Sequence, residues 1–334
     1  MFRKKLLFSI VFIASLLIIS SCDPNSSLQV DLTGIEKPDV DIKRYEKAMF
    51  AIPEDSFIQE LETYRQAFPL FISGDLTDTL ALLNLKSFFA DPYMIELNDM
   101  VQIQFKDLSI VEDELANAMQ HYYYYFDSPS SFSYYSYISG LDIQYPVKII
   151  DSNIVIGLDL YLGAKSKVYT LSGYPKYKSQ WLKPEAIVPD VMSELVRSMI
   201  PEKDRSSSLL QQMIYDGKRL YFIQAMMPHI SDSLLMHYSS SQMEWCLKNE
   251  ANLWSLMVEN QYLFKNDVQI QKKFMDDAPF TSIFSTEAPA RLGQFIGWRL
   301  VSAFMAKSEY SLPELLAEED VQLILKGSKY KPKL

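Results

Sequence analysis

The first 22 residues constrain where the rest of the chain folds. Three cationic residues at positions 3–5 precede an apolar run over residues 6–19, and two serines lead directly into Cys22. A cationic start, a short apolar stretch and small residues before a cut site are the marks of an export signal, and this stretch is too short to span a bilayer. A cysteine directly after the small residues is typical of bacterial lipoproteins. We therefore expect cleavage after residue 21 and lipid attachment to Cys22.

Lipid on Cys22 is then the expected membrane anchor. Each buried acyl methylene contributes about 0.8 kcal/mol, so two or three chains hold a protein stably. Later apolar stretches, near Ile149 and Phe295, are broken by charged and polar residues, and none reaches the length that a spanning helix needs. The sequence predicts a polypeptide that stays in water, in the cell envelope, facing the periplasm, with the choice between inner and outer membrane left open.

Charge and composition narrow the partners of the exported chain. The 334-residue sequence carries a net charge of −10, and cleavage removes three cations and no acidic residue, which leaves −13 on the mature chain. An acidic body is repelled by phosphate backbones, so no nucleic-acid partner is expected. With 48% hydrophobic residues the chain is globular. Since Cys22 is predicted to be acylated, Cys246 has no partner for a disulfide and is expected to be a small buried residue.

Periodicity and turn residues divide the chain into three parts. Residues 1–21 are the signal, residues 22–39 have the composition of a flexible tether, and residues 40–330 form a single globular domain, with a helical half over 40–128 and strands plus helices over 129–330. The predicted helices are 55–68, 76–89, 92–105, 111–125, 189–200, 206–227, 231–265 with a break near 249, 289–307, and 312–325 with a break; the predicted strands lie between 131 and 158 and include a hairpin. The fold class is therefore α+β, mainly helical, with a small central antiparallel or mixed sheet.

One predicted helix carries polar residues in a single stripe. Asp190, Ser193, Glu194 and Arg197 fall at helical spacing on an otherwise apolar helix. In zinc peptidases the pattern H-E-x-x-H places two imidazoles on one helical turn, with the glutamate as general base. The corresponding positions here are Ser193-Glu194-Leu195-Val196-Arg197, and Asp216 stands in the following helix where such peptidases present an acidic ligand beside a glycine.

Several further segments carry a resemblance over essentially the whole mature chain. They are Tyr215-Asp216-Gly217-Lys218, the run EAPARLGQFIGWR over residues 287–299, and the ending GSKYKP over residues 327–332. Together with the cysteine signal, they resemble the gliding-motility lipoprotein GldB family of Bacteroidetes, which is in turn similar to predicted zinc-dependent peptidases. The resemblance implies a zincin-like core with a degenerate metal site at Ser193, Glu194, Arg197 and Asp216.

The residues at those positions do not suit catalysis by a metal. A catalytic zinc ion needs three protein ligands of His, Cys or carboxylate type, whereas Ser193 is a poor ligand and a protonated guanidinium has no lone pair to give. We hypothesise that Arg197 takes the place of the metal charge and pairs with Glu194 and Asp216 in a structural ion cluster. The alternative is that Ser193, Glu194 and Arg197 form only the solvated face of an amphipathic helix.

Three functions stay open on the sequence alone. The first is a non-catalytic envelope lipoprotein, without cofactor or metal, that supports gliding motility or associated secretion through contacts with envelope proteins. The second is a hydrolase, zinc-dependent or not, in which Glu194 activates water. The third is a periplasmic ligand-binding lipoprotein that uses the tyrosine-rich segment around Tyr134.

One further pattern concerns packing. Gly293 and Gly297 stand four residues apart on a predicted helix, which allows a neighbouring backbone to approach closely. The surrounding residues are not a membrane span, so the spacing predicts tight packing inside the domain and not a membrane dimer.

The anchor prediction is tested by Cys22→Ala. Without the thiol no lipid is attached, so the exported variant should move from the membrane fraction to the soluble fraction, as measured by fractionation and immunoblotting. A variant that stayed in the membrane fraction and remained fully functional would show that Cys22 is not the anchor.

Overall fold

The computed structural model describes residues 28–127, 131–201 and 206–333. The predicted signal and Cys22 lie outside the described residues. Within them the chain is mainly helical, and no helix is long and apolar enough to cross a membrane. The helices are α1 (Tyr45–Met49), α2 (Phe57–Leu61), α3 (Thr79–Ala90), α4 (Pro92–Gln104), α5 (Ser109–Phe126), α6 (Lys167–Leu171), α7 (Lys176–Ser179), α8 (Ile187–Met199), α9 (Leu209–Met226), α10 (Asp232–Leu235), α11 (Ser240–Glu259), α12 (Val268–Met275), α13 (Leu292–Met305), α14 (Leu312–Ala317) and α15 (Val321–Ser328).

Four short strands form one mixed sheet within the described residues. They are β1 (Ile42–Arg44), β2 (Ser133–Tyr137), β3 (Val147–Ile150) and β4 (Asn153–Gly157), in the order β1-β2-β4-β3. β1 and β4 both run parallel to β2, whereas β3 pairs antiparallel with β4. The β3–β4 hairpin turns at Asp151, whose φ is 53°, a left-handed conformation that Asp adopts more readily than most residues. The α+β class and the mixed sheet are confirmed.

The sheet separates two hydrophobic clusters. Tyr134 and Ile154 on one face join the main core, which includes α5, α8, α9 and α13. Tyr135 and Val155 on the other face join a smaller core with α1, α2 and α3. Successive side chains of a strand point to opposite faces of the sheet, so the side chains of the central strands pack alternately into the two clusters. Both faces of the sheet are therefore covered.

Two predicted helices differ from the structure. Residues 55–68 form only the five-residue helix α2 flanked by short 3-10 turns. The long segment over 231–265 does break, but between α10 and α11, at residues 236–239, and not near Asn249. Ser239 supplies a capping box for α11 with Gln242, so the start signal at residue 239 decides the break. Asn249 continues the helix and donates a hydrogen bond to the carbonyl of Trp245 at 2.9 Å.

Residues 28–42 lie along α5, although the sequence predicts a flexible tether as far as residue 39. Leu28 is 3% exposed and belongs to the main core. Gln120 donates to the carbonyl of Ile35 at 2.7 Å, and Lys37 forms an ion pair with Asp113 at 2.5 Å. We call residues 28–42 the strap. Its first contact with the core is at Leu28, close to the C-terminal end of α5.

Helices α9 and α13 cross with their backbones in contact. Gly217 of α9 faces Gly297 of α13, and a methyl group on Gly297 would overlap the carbonyl of Met213. A methyl group on Gly217 would overlap the carbonyl of Gly297 in the same way. Gly293, one turn earlier, leaves no room for a side chain against Met275. The predicted tight packing at the paired glycines is confirmed.

Gly297→Ala should destabilise the fold severely, because its methyl group meets backbone that cannot move without separating two core helices. Overpacking of a core costs about 1–3 kcal/mol and occasionally more, and we expect at least about 3 kcal/mol here in urea unfolding. The matched control is Gly74→Ala, where nothing lies within 4 Å of the added carbon; its effect should stay within about 1 kcal/mol. Equal stability of the two variants would contradict the close crossing.

Candidate functional site: a buried charge cluster between α8 and α9

The four predicted site positions on α8 and α9 divide into two pairs. Ser193 and Asp216 both line a small cavity of about 110 Å³ between the two helices. Glu194 and Arg197 lie outside its lining; their side chains are 35% and 45% exposed, and Nη1 of Arg197 is 3.9 Å from Oε2 of Glu194. An ion pair this exposed contributes little to stability. The structure thus brings Ser193 and Asp216 together and leaves Glu194 and Arg197 on an outer face of α8.

Arg219 makes the central contacts of the cavity, and it is not among the site residues predicted from the sequence. Its Nη1 donates to Oδ1 of Asp216 at 2.5 Å, and its Nη2 donates to Oγ of Ser193 at 2.8 Å. The guanidinium therefore joins α9 to α8 through its hydrogen bond to Ser193, whereas its charge-assisted bond to Asp216 stays within α9. The available signal was the spacing of Asp216 and Arg219, which are three residues apart and face the same way on a helix.

Burial raises the pKa of Asp216, while the positive charges of Arg219, then Arg291 and Arg197, lower it. The carboxyl group of Asp216 is 15% exposed and the side chain of Arg219 is 22% exposed. Because a carboxylate loses hydration when it is buried, its charged form depends on a nearby cation. We expected Arg197 to be that cation, but Arg219 is the one that contacts Asp216, and Arg197 lowers the pKa of Asp216 less than Arg219 and Arg291 do.

A second acidic residue lies at the other end of the cavity. Asp190 accepts a hydrogen bond from the hydroxyl of Tyr161 at 2.9 Å, and its Oδ1 is 3.4 Å from Nε2 of His237. Burial raises the pKa of Asp190 to about 7, although the hydrogen bond from Tyr161 and the positive charge of Arg291 both lower it. Burial, Arg291 and Lys183 lower the pKa of His237 to about 3. At neutral pH the imidazole is therefore uncharged.

His237 and Arg291 close the cavity from the loops. The His237 ring stacks on Trp181, with ring centroids 5.6 Å apart and planes 14° apart. Arg291, the residue before α13, donates through Nη2 to the carbonyls of Met236 and His237 at 2.9 and 3.0 Å. Its Nε lies 3.1 Å from Oδ1 of Asp277. These contacts hold the imidazole in place and set a second guanidinium beside the two acidic residues.

The donor set of this cavity does not suit a zinc ion. A zinc site needs three or four His, Cys or carboxylate ligands around one point, and the described residues contain no group of three or more such side chains in that arrangement. At the predicted metal position the guanidinium of Arg219 lies against Ser193 and Asp216, and a guanidinium has no lone pair for a metal. Instead, Arg219 pairs with Asp216, and the positive charge of Arg291 lowers the pKa of both acidic residues of the cavity.

The family model for "Gliding motility protein GldB" matches residues 25–332. The chain belongs to the GldB family. Searches of curated proteins and of solved structures gave no match. The GldB match covers the sheet, both hydrophobic clusters and every residue of the cavity, so the charge cluster lies inside the part of the chain that defines this GldB-family lipoprotein.

Arg219→Met should destabilise this GldB-family domain, because it leaves Asp216 without the cation in contact with it. Removing one partner of a buried pair costs about 3–5 kcal/mol, and the partial exposure of this pair places the expected loss near the lower limit, about 3 kcal/mol. The matched control is Arg197→Met, which removes an exposed cation from the same cluster region and should cost less than about 1 kcal/mol. Urea unfolding at pH 7 measures both.

Adding Asp216→Asn to Arg219→Met should recover part of the loss, because no unpaired charge then remains at Asp216. If Arg197→Met proved more damaging than Arg219→Met, Arg197 would be the dominant cation, as we expected from the sequence.

Proposed function

We propose that this chain is a non-catalytic envelope lipoprotein that supports gliding motility, or secretion associated with it, through protein contacts. Membership of the GldB family supports the link to gliding motility and to the envelope. The contact of Arg219 with Ser193 and Asp216 carries the non-catalytic part of the proposal. That contact places a guanidinium against two of the positions that correspond to metal ligands in such peptidases, where it would repel a metal ion.

The charge cluster suits a structural role. Its acidic and basic groups are supplied by α8, α9, the loop before α11 and the residue before α13, so it joins parts of the domain that are distant in sequence. Forming a buried ion pair such as Arg219–Asp216 adds little to the free energy of unfolding, but removing one partner lowers it strongly. A cluster of this kind therefore favours one arrangement of the helices over others. We propose that the core is a zincin-like arrangement in which arginine replaces the metal as the positive charge.

A hydrolase based on Glu194 is less well supported. A general base must reach the proton that it abstracts, in a site that shields the reaction from bulk water. The Glu194 side chain is 35% exposed and pairs with Arg197 on the outer face of α8, away from the cavity lined by Ser193 and Asp216. The ligand-binding alternative is also less well supported, since Tyr134, at the centre of the segment that it would use, is 4% exposed and packs into the main core.

We place the anchored protein in the periplasm. Lipid on Cys22 would hold it to one membrane of the envelope, and its acidic body fits a partner with a basic surface. The partners are expected to be other envelope proteins of the gliding or secretion machinery.

Glu194→Gln tests the non-catalytic role. The amide has the size of the carboxylate but cannot act as a general base, so the variant should restore spreading to a gliding strain that lacks its own copy of this protein. Spreading should equal that of the wild type when immunoblots show equal protein levels. Cys22→Ala is the control for loss of function through mislocalisation. A complete loss of spreading with Glu194→Gln, at normal protein levels and localisation, would favour the hydrolase.

A further inference from the structure

An aromatic groove lies where the described chain begins. It has a volume of about 510 Å³ and lies between the C-terminal end of α5 and the segment that joins α13 to α14. We call it the tyrosine groove and define it by the residues that line it: Leu28, Tyr124, Tyr125, Tyr221, Ala225, Met305, Tyr310, Ser311, Leu312 and Pro313. Tyr124 is 40% exposed, and the hydroxyl of Tyr310 donates to Oε2 of Glu318 at 2.9 Å.

The strap fixes the point at which the chain leaves this groove. Ile42 donates to Glu112 near the start of α5, Lys37 pairs with Asp113, and Gln120 donates to the carbonyl of Ile35. The strap therefore runs antiparallel to α5 and reaches the C-terminal end of that helix at Leu28. Because Leu28 is buried in the core, only the segment from Cys22 to Leu28 can separate the lipid anchor from the folded body.

That length is short compared with the body. Six residue steps separate Cys22 from Leu28, and a fully extended chain covers at most about 3.3–3.6 Å per residue, or roughly 20 Å in total. A domain of about 300 residues has a radius of gyration of roughly 19 Å, which corresponds to a diameter of roughly 50 Å. A tether of this reach cannot let the body turn its far side to the bilayer. The side that carries Leu28 has to face the membrane.

Tyrosine suits that position. Its ring is apolar and its hydroxyl is polar, so tyrosine is enriched where proteins meet the headgroup layer of a membrane. Acidic residues such as Glu309 and Glu314 are exposed beside the groove. They disfavour anionic lipid and favour headgroups that carry an amine.

We propose that the tyrosine groove faces the bilayer and that Tyr124 and Tyr310 contact the headgroup layer of the membrane in which Cys22 is anchored. This inference rests on the proposed lipid anchor and adds to it the orientation of the folded body. The anchor supplies the affinity, the short tether turns the side that carries Leu28 to the membrane, and the tyrosines of the groove make the contact with the lipid. Surfaces on the far side of the domain are then left for protein partners.

The test uses the full lipidated chain in phosphatidylethanolamine vesicles that contain a lipid with a photoactivatable headgroup. After illumination, mass spectrometry maps the labelled peptides. We expect labelling on the peptides that contain Tyr124 and Tyr310, and loss of that labelling in the double variant Tyr124→Ser, Tyr310→Ser. The matched control is Tyr145, which is 53% exposed and lies just before β3, outside the groove. Its peptide should remain unlabelled.

The same sample separates failure of the anchor from failure of the orientation. The mass of the N-terminal peptide reports acylation of Cys22 directly. An unacylated chain would overturn the proposed anchor, and the orientation with it. An acylated chain that labels at Tyr145 as strongly as at Tyr124 and Tyr310 would overturn the orientation alone. Inserting a long Gly/Ser linker after Asn25 should reduce labelling of the groove, and undiminished labelling would show that tether length does not set the orientation.

Discussion

The crossing of α9 and α13 at Gly217 and Gly297 is the contact on which the other features depend. Helices usually pack 8–10 Å apart, with side chains between them, but here each glycine lies against the backbone of the other helix. The crossing fixes the rotation of α9. Asp216, just before Gly217, then faces α8, whereas Lys218, just after it, donates to the carbonyl of Leu316 at 3.4 Å and to that of Glu318 in the α14 region.

Other contacts hold the same arrangement from further along the helices. Nε1 of Trp298 donates to Oε1 of Gln224 at 3.1 Å inside the core. Phe304 lies against Gly327 of α15, where a side chain would overlap its ring. Because protein interiors are packed as densely as organic crystals, a small shift at the crossing would displace the side chains along the whole of α9. The packing of these two helices also sets the positions of the charged residues in the cluster, because Asp216 and Arg219 lie on α9 and Arg291 directly precedes α13.

Much of the fold could be predicted from the sequence, because it depends on local patterns. A few neighbouring residues are enough to indicate the hairpin at Asp151, the paired glycines at 293 and 297, and the break within 312–325.

The charge cluster could be predicted only in part. Ser193 and Asp216 were placed together by their resemblance to a metal site, but the choice of Arg219 over Arg197 as the contacting cation depends on how α9 is rotated. The pairing of Asp190 with His237 joins residues 47 positions apart, and no local pattern indicates it.

The central claim is that the positive charge beside Asp216 is the guanidinium of Arg219 and not a metal ion. The most direct measurement is metal analysis of the mature protein, purified from Asp23 onward without chelators, alongside its thermal unfolding with and without added chelator. We predict a folded protein with no stoichiometric zinc and an unfolding transition that chelator does not shift. About one zinc ion per chain, with a transition that chelator lowers, would contradict the account, because a metal that binds the native state and not the unfolded state stabilises the protein, and removing it lowers the transition.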